Sequence, residues 1–248
     1  MITDVPSGTN IHEIEEGIYR ISVPVPEANF AYNQFLIVDE EPLLFHTGLR
    51  AQFPLVSAAI SSVMPLDRLR YVAFSHFEAD ECGSLNHFLA AAPNAVPVAW
   101  HVAVMTSLAH FAERAPRALA DGEEIVLGRR TVTWHDAPHL PHGWETGYIS
   151  ESSTRTLFCG DLFTHGGAHA ARLIESDLLI PAEEFRIGFS AATGFADAYG
   201  FTRDARLHIE KLAATNPRTL AVMHGSSWRG KEGEGAALLR RLGDVVAA

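Results

Sequence analysis

The stretch SHFEADECG, Ser75 to Gly83, places His76, Glu78, Asp80 and Glu81 within six residues, one imidazole and three carboxylates. It follows LRYVAF, an apolar run that reads as a buried strand. Continued at a two-residue period, that strand would put His76 and Glu78 on one face, with Asp80 and Glu81 where the chain turns into the next helix. Carboxylates converging at the mouth of a core repel one another, and burying them ionised without partners is costly. A cation, protonation or water must compensate; for this cluster alone, a solvated loop capping the next helix would also serve. Three other segments end an apolar run in the same way. TVTWHDAPHLPHGWETG carries His135, Asp136, His139, His142 and Glu145, RTLFCGDLFTHGG carries Asp161 and His165, and RTLAVMHGSSWRG carries His224. Four such strand ends exceed what solvated loops or isolated core histidines explain. Imidazole and carboxylate are the nitrogen and oxygen donors that suit iron, zinc and manganese. His76, Glu78, Asp80, His142, Asp161 and His224 are therefore expected to form a dinuclear metal centre assembled from separate loops.

The elements that must position these residues can be read from the apolar pattern. GIYRISVPVP reads as a strand, and NQFLIVDEEPLLFHTG as two strands joined across Asp39, Glu40 and Glu41. QFPLVSAAISSVM has helical spacing, GSLNHFLAAAP reads as a short helix, VPVAW as a strand and HVAVMTSLAHFAERA as a helix. EEIVLGRRTVTWHD contains a hairpin turning near Leu127 and Gly128, and ETGYISESSTRTLFCGD holds two strands joined by a polar turn. ESDLLIPAEEFRIGFSAATGF is expected to be partly helical and DARLHIEKLAATN an amphipathic helix; RTLAVMHG and GEGAALLRRLGDVVAA supply the last strand and helix. No linker and no repeat interrupts this order. It predicts one domain over residues 1–248, of class α/β, with two central sheets and outer helices.

Composition narrows the functions. The 248 residues are 47% hydrophobic and 20% charged, with a formal net charge of -11. That balance argues against broad nucleic-acid binding, which needs a positive footprint, and against an anionic membrane surface. No run of apolar residues is long enough to span a bilayer. The N-terminus has neither a basic region nor an apolar core, so a cytoplasmic protein is expected, disordered only in its first few residues and in GKEGEG. Cys82 and Cys159 are too few for a disulfide scaffold and are expected to be buried thiols. G-x-S-x-G is absent, which disfavours serine hydrolysis.

The ligand-bearing segments resemble the metallo-β-lactamase superfamily, whose signature is H-x-H-x-D-H followed by later His, Asp and His ligands. Here the first motif is H-F-E-A-D-E, with Glu78 in place of the second histidine. That feature resembles the diiron branch, the flavodiiron proteins and their stand-alone oxygen-binding relatives. HGWETG, LFCGDLF and HGSSWRG resemble the branch's later segments and point to His142, Asp161 and His224. The resemblance runs from NQFLIV to His224 and implies a four-layer αββα sandwich. It implies His76, Glu78 and His142 on one metal, Asp80 and His224 on the other, and Asp161 bridging both. Glu81 stands where the family often has a histidine ligand; it either coordinates or turns away. His46 stands where the family has an acid, and with His165 is expected to hydrogen-bond to the ligands from behind. As large apolar groups, Trp144 and Trp228 are expected to wall the pocket or, equally well, to pack in the core.

The implied cofactor is a pair of iron ions, in preference to zinc or manganese. Glu78, Asp80 and Asp161 bring three negative charges and Glu81 a fourth, against four positive charges on two divalent ions. No glycine-rich turn for FMN and no flavodoxin-like domain is expected, so electrons would come from an electron-donor protein or a second copy in a homodimer. The implied function is binding of dioxygen, with reduction of it or of nitric oxide. The alternative is a dinuclear hydrolase acting on an ester, thioester, lactone or phosphodiester.

Overall fold

The computed structural model describes residues 2–4, 9–194, 197, 199, 200 and 202–247. Two sheets form its centre. The first contains β1 (Ile2–Asp4), β2 (Asn10–Glu15), β3 (Ile18–Val25), β4 (Phe30–Ile37), β5 (Leu43–Phe45), β6 (Tyr71–Ala73), β7 (Val96–Trp100) and β8 (Arg117–Leu119), side by side in chain order. It is antiparallel up to β5 and parallel from there on. The second contains β9 (Glu124–Val126), β10 (Thr131–Asp136), β11 (Gly147–Glu151), β12 (Thr156–Phe158), β13 (Leu173–Ile174), β14 (Thr219–Ala221) and β15 (Ser227–Arg229), in the order β13-β15-β14-β12-β11-β10-β9.

The layers follow from strands that are apolar on both faces. In β5, Leu43 and Phe45 face the opposite sheet while Leu44 faces outward, and in β4 Phe35 and Ile37 alternate with Leu36 in the same way. The inward residues meet Trp134, Ile149, Phe158 and Ala221 of the second sheet in one core. Outward residues of the first sheet pack with Val56 and Ile60 of α1 (Phe53–Ser61) and Phe88 of α3 (Leu85–Ala91); α2 (Ala79–Cys82) lies between these helices in the chain. A helical stretch after β7 comprises α4 (His101–Ala103), a π-turn at Val104–Leu108 and α5 (Ala109–Phe111). On the far side, α6 (Leu179–Thr193), α7 (Ala205–Ala214) and α8 (Glu234–Val246) cover Leu157 and Leu220 with Leu179, Leu212 and Leu242. The result is the four-layer αββα sandwich.

Each expected helix and strand is present, with β1, β2, β8, β13, β15 and the single-turn α2 in addition; β1 lies among the first residues, where disorder was expected. GKEGEG, expected to be disordered, is a turn in which Lys231 donates its N–H to Glu234 and Gly233, at φ +82°, precedes α8. Of the first few residues, 1 and 5–8 lie outside the described residues, as does Phe195 at the end of the expected α6 segment. Among the described residues no helix is long and apolar enough to cross a membrane.

Strand direction decides where function collects. β5 and β6 are parallel neighbours, β12 and β14 likewise, and β10 runs with β12 because each is antiparallel to β11. The chain therefore leaves β5, β6, β10, β12 and β14 at one edge of the sandwich. Those exits carry His46, the His76–Glu81 segment, His142, Asp161 and His224.

Candidate metal centre

β6 ends at Ala73, three residues before His76, so the strand pleat does not align His76 with Glu78 as the apolar run suggested. A loop does so instead. Phe77 donates its N–H to the buried Glu145 carboxylate at 2.8 Å, which ties this loop to the one carrying His142. Glu78 is extended at φ -127° and precedes α2, whose single turn carries Asp80 and Glu81. The Glu81 carbonyl accepts from the Thr47 N–H at 2.7 Å, anchoring that turn to the loop after β5.

These loops bring together all six expected ligands and Glu81. Three sets of donor atoms lie mutually within 4.8 Å: His76, His142 and Asp161; His76, Glu78 and Glu81; and Asp80, Glu81 and His224. Asp161 faces two ways. Its Oδ1 is 3.2 Å from His224 Nε2, and its Oδ2 is 3.6 Å from His76 Nε2 and 3.7 Å from His142 Nε2. His142 Nε2 lies 2.9 Å from Glu78 and His224 Nε2 3.4 Å from Asp80. His76 Nε2 is buried without a hydrogen-bond partner, while the buried Glu81 carboxyl shares a hydrogen bond with Asp80. Buried polar atoms are nearly always satisfied, so such an orphan facing the other donors marks the place of a missing partner.

The electrostatics have the same character. Burial drives Glu81 well above the usual carboxylate range, and the charges of Asp161 and Asp80 push it further. Burial would also raise Asp161, yet pairing with His224 and the proximity of His76 and His142 hold it well below its ordinary value. For His224 burial pulls downward, but Asp161 and Asp80 outweigh it and lift the imidazole to about 9. A proton on His224 therefore serves as a cation for these acids.

Behind the donors lies a scaffold of hydrogen bonds. His46 and His165 lie in it, but the side chain of neither bonds directly to a donor residue; each acts on the backbone or on an intervening side chain. His46 is fully buried, its Nε2 3.0 Å from Ser75 Oγ, which is in turn 2.9 Å from His76 Nδ1. With Nε2 of His76 facing the donor group, His76 Nδ1–H donates to Ser75 and Ser75 donates to His46. His46 Nδ1 rests against the Met223 sulfur at 2.9 Å, and burial, with the charge of His76 adding to it, pushes His46 down to about 3, so it stays neutral. His165 donates from Nδ1 to the Phe163 carbonyl and accepts the Ser226 N–H on Nε2, gripping the loop after β14. His224 donates from Nδ1 to the Ala31 carbonyl at 3.0 Å, which directs Nε2 inward. Arg20 and Asn33 were not singled out in the sequence, yet both donate to the Gly225 carbonyl from buried positions in β3 and β4. A charged or amide residue inside an otherwise apolar strand was the available signal.

The comparisons with known proteins agree with this geometry. The family model described as ODP family beta lactamase matches residues 30–225. The chain belongs to this family. Among curated relatives, rubredoxin-oxygen oxidoreductase of Megalodesulfovibrio gigas is 27% identical over 145 residues, 57% of this chain and 35% of that protein. Nitric oxide reductase of Moorella thermoacetica is 25% identical over 205 residues, 80% of this chain and 49% of that protein. This chain thus spans half or less of the length of these two relatives. Among solved structures, rubredoxin oxygen:oxidoreductase from Desulfovibrio gigas superposes with a TM-score of 0.81 at 20% identity, covering 95% of this chain and 61% of that one.

In this ODP-family chain the donor set fits a pair of iron ions. It is rich in carboxylate, contains no thiolate, and balances the charge of two divalent ions when Glu81 is counted. Cys82 and Cys159 are free and buried, as expected, and belong to none of the donor groups. A cavity of about 530 Å³ opens over the donors, lined by Phe30, Phe185, Phe189 and Tyr199 together with Glu78, His142, Asp161 and His224. The expected tryptophans are not its walls. Trp144 is 56% exposed, and Trp228 is buried in the outer core beneath α8. Phe30 takes the role instead, stacked on the His224 ring at 4.3 Å and on Phe185 at 5.5 Å.

Proposed function

We propose that this chain is a non-haem diiron protein that binds dioxygen and reduces it, or nitric oxide, with electrons from a partner protein. The observation that supports it is the position of Asp161, whose two oxygens face different donor groups, one on each side. On this proposal His76, Glu78 and His142 hold one iron, Asp80 and His224 the other, and Asp161 joins them. When bound, a ferrous pair supplies the electrons that dioxygen takes up. The chain's own residues do the rest. His224 yields its Nε2 proton as metal enters, the carboxylates favour the higher oxidation state by their charge, and Phe30, Phe185 and Tyr199 limit water at the open side. Ser75 and His46 hold the His76 ring in the tautomer that presents Nε2.

The relatives' names, a rubredoxin-oxygen oxidoreductase and a nitric oxide reductase, support dioxygen or nitric oxide as substrate and a small redox protein as donor. The same proposal takes residues 1–248 as one domain, acting as a homodimer in the cytoplasm. A second reading, the dinuclear hydrolase, draws on the cavity, whose volume is that of a site for a small organic molecule and far exceeds what a diatomic gas needs. Anaerobic reconstitution with ferrous iron, followed by metal analysis and visible spectra before and after air, separates the two. Two irons per chain and a new near-ultraviolet or blue absorption on exposure to air are expected. A colourless protein that retains only zinc and turns over esters would establish the hydrolase instead.

A further inference from the structure

We propose that a small cavity at the edge of the sandwich opposite the metal centre binds a phosphate-type oxyanion on the guanidinium groups of Arg155 and Arg218. This goes beyond the diiron reading and does not depend on it. The cavity, of about 190 Å³, is lined by Glu15, Ser153, Thr154, Arg155, Arg218 and Arg229. Arg155 directly precedes β12 and Arg218 directly precedes β14. The same two strands lead, at their other ends, to Asp161 and His224.

The backbone sets the two arginines side by side. The Arg155 carbonyl accepts the Arg218 N–H at 2.8 Å, and the residues that follow, Thr156 and Thr219, pair in parallel register. Like charges at neighbouring positions of a sheet repel one another. The acids nearby do not cancel this pair. Glu15 is taken by Arg229, whose Nε donates to it at 2.8 Å, and by the Thr219 hydroxyl. Glu151 accepts from the N–H and hydroxyl groups of Ser153 and Thr154, which fixes the turn that carries Arg155. Glu232 stands 3.3 Å from Arg155 but is 74% exposed, and an ion pair so screened is worth little. The Arg218 guanidinium makes no ion pair or hydrogen bond among the described residues. With Glu15 and Arg229 cancelling, the cavity keeps the charges of Arg155 and Arg218, a local reversal of sign on a chain of net charge -11.

Charge and size choose the ligand. Two guanidinium forks match both the oxygens of a phosphate and its charge of about -2 near neutral pH. The volume lies below the roughly 300 Å³ at which pockets for drug-sized molecules begin. The anion therefore enters as inorganic phosphate, or as the terminal phosphate of a molecule whose remainder stays outside.

The test titrates the full-length chain with inorganic phosphate, glycerol phosphate and acetate by calorimetry, at constant ionic strength in chloride. One phosphate per chain is expected to bind saturably. Arg155→Ala and Arg218→Ala should each weaken it by about tenfold or more, the worth of a hydrogen bond to a charged group. Arg240→Ala, which removes a surface cation held by Glu210 instead, should leave affinity unchanged. Tighter binding of glycerol phosphate would identify an organic phosphate as the ligand, and tighter binding of inorganic phosphate the free anion. Acetate bound as tightly as phosphate would overturn the phosphate class, and wild-type affinity in both alanine variants would overturn the site. Circular dichroism checks folding; if an alanine variant fails it, undiminished affinity in Arg218→Gln overturns the site equally. Phosphate binding that vanishes on chelator treatment would place the anion at the metal centre and overturn the proposal. Binding at these arginines by a chain that takes up no iron would support it while removing the diiron reading.

Discussion

His224 lies between Asp80 and Asp161 and, without metal, carries the proton that these acids need nearby. Its rise from 6.5 to about 9 has a definite sign for stability. A group that binds its proton more tightly when folded stabilises the fold fully below the unfolded value, and the contribution is lost as pH rises through the folded one. The upward shift of Glu81 acts in the same direction, beginning above the ordinary glutamate value of 4.5. The downward shifts of Asp80 and Asp161 act at the acid end, where their stabilisation is lost as those groups protonate. Chelator-stripped protein is therefore expected to melt at steadily lower temperature as pH is raised from 6.5 to 9. Iron-loaded protein should not follow that decline, because deprotonated ligands bind metal better. A flat melting profile for stripped protein across that window would contradict the charge pattern described for this site. The residues themselves were legible: six candidate ligands were picked out from type and context, and the fold brings their donor atoms together. The inward direction of Glu81 was not, since a one-residue difference on a helical turn depends on where that turn is anchored.

At the scale of elements, the loop between β14 and β15 decides how His224 is presented. Gly225 has φ +99°, and a Cβ there would fall 2.3 Å from the His165 ring, while its carbonyl takes hydrogen bonds from Arg20 and Asn33. Gly225→Ala is expected to cost about 1–3 kcal/mol through backbone strain and to weaken iron binding by roughly 10- to 100-fold. Gly122→Ala is the control. Its φ of +76° imposes strain, but nothing lies within 4 Å of the added methyl, so stability should fall while iron binding is unchanged. Urea denaturation and chelator competition on both variants measure the two effects; equal iron affinity in Gly225→Ala and wild type would show that the loop does not position His224. Sequence pattern located the strand that precedes this loop because β14 is a run of apolar residues. It missed β15, whose Ser-Trp-Arg gives no alternation to detect, and with it the hairpin that holds the loop closed. It also extended β6 beyond Ala73, because apolar character continues after strand pairing has stopped.

Across the whole molecule, the centre joins two halves that share one core. His76, Glu78, Asp80 and Glu81 leave the first sheet, whereas His142, Asp161 and His224 leave the second. A metal pair held by both sets ties the sheets together at one edge, so iron should act as a folding ligand. At free iron 100-fold above its dissociation constant, the gain is about 2.7 kcal/mol. Anaerobic melting with and without ferrous iron should show this as a higher Tm, and Asp161→Asn should lose most of the increase. An iron-induced rise of the same size in Asp161→Asn would place the metal elsewhere. By itself the sequence determined the chemistry and the layers, because donor types and runs of apolar residues are local properties that survive without coordinates. The tertiary structure alone decided which loops meet, which aromatic rings wall the cavity, and that Glu81 points inward. Those depend on how two twisted sheets stack and where parallel strands end, and no local spacing between residues 76, 142, 161 and 224 encodes the few ångströms that separate them.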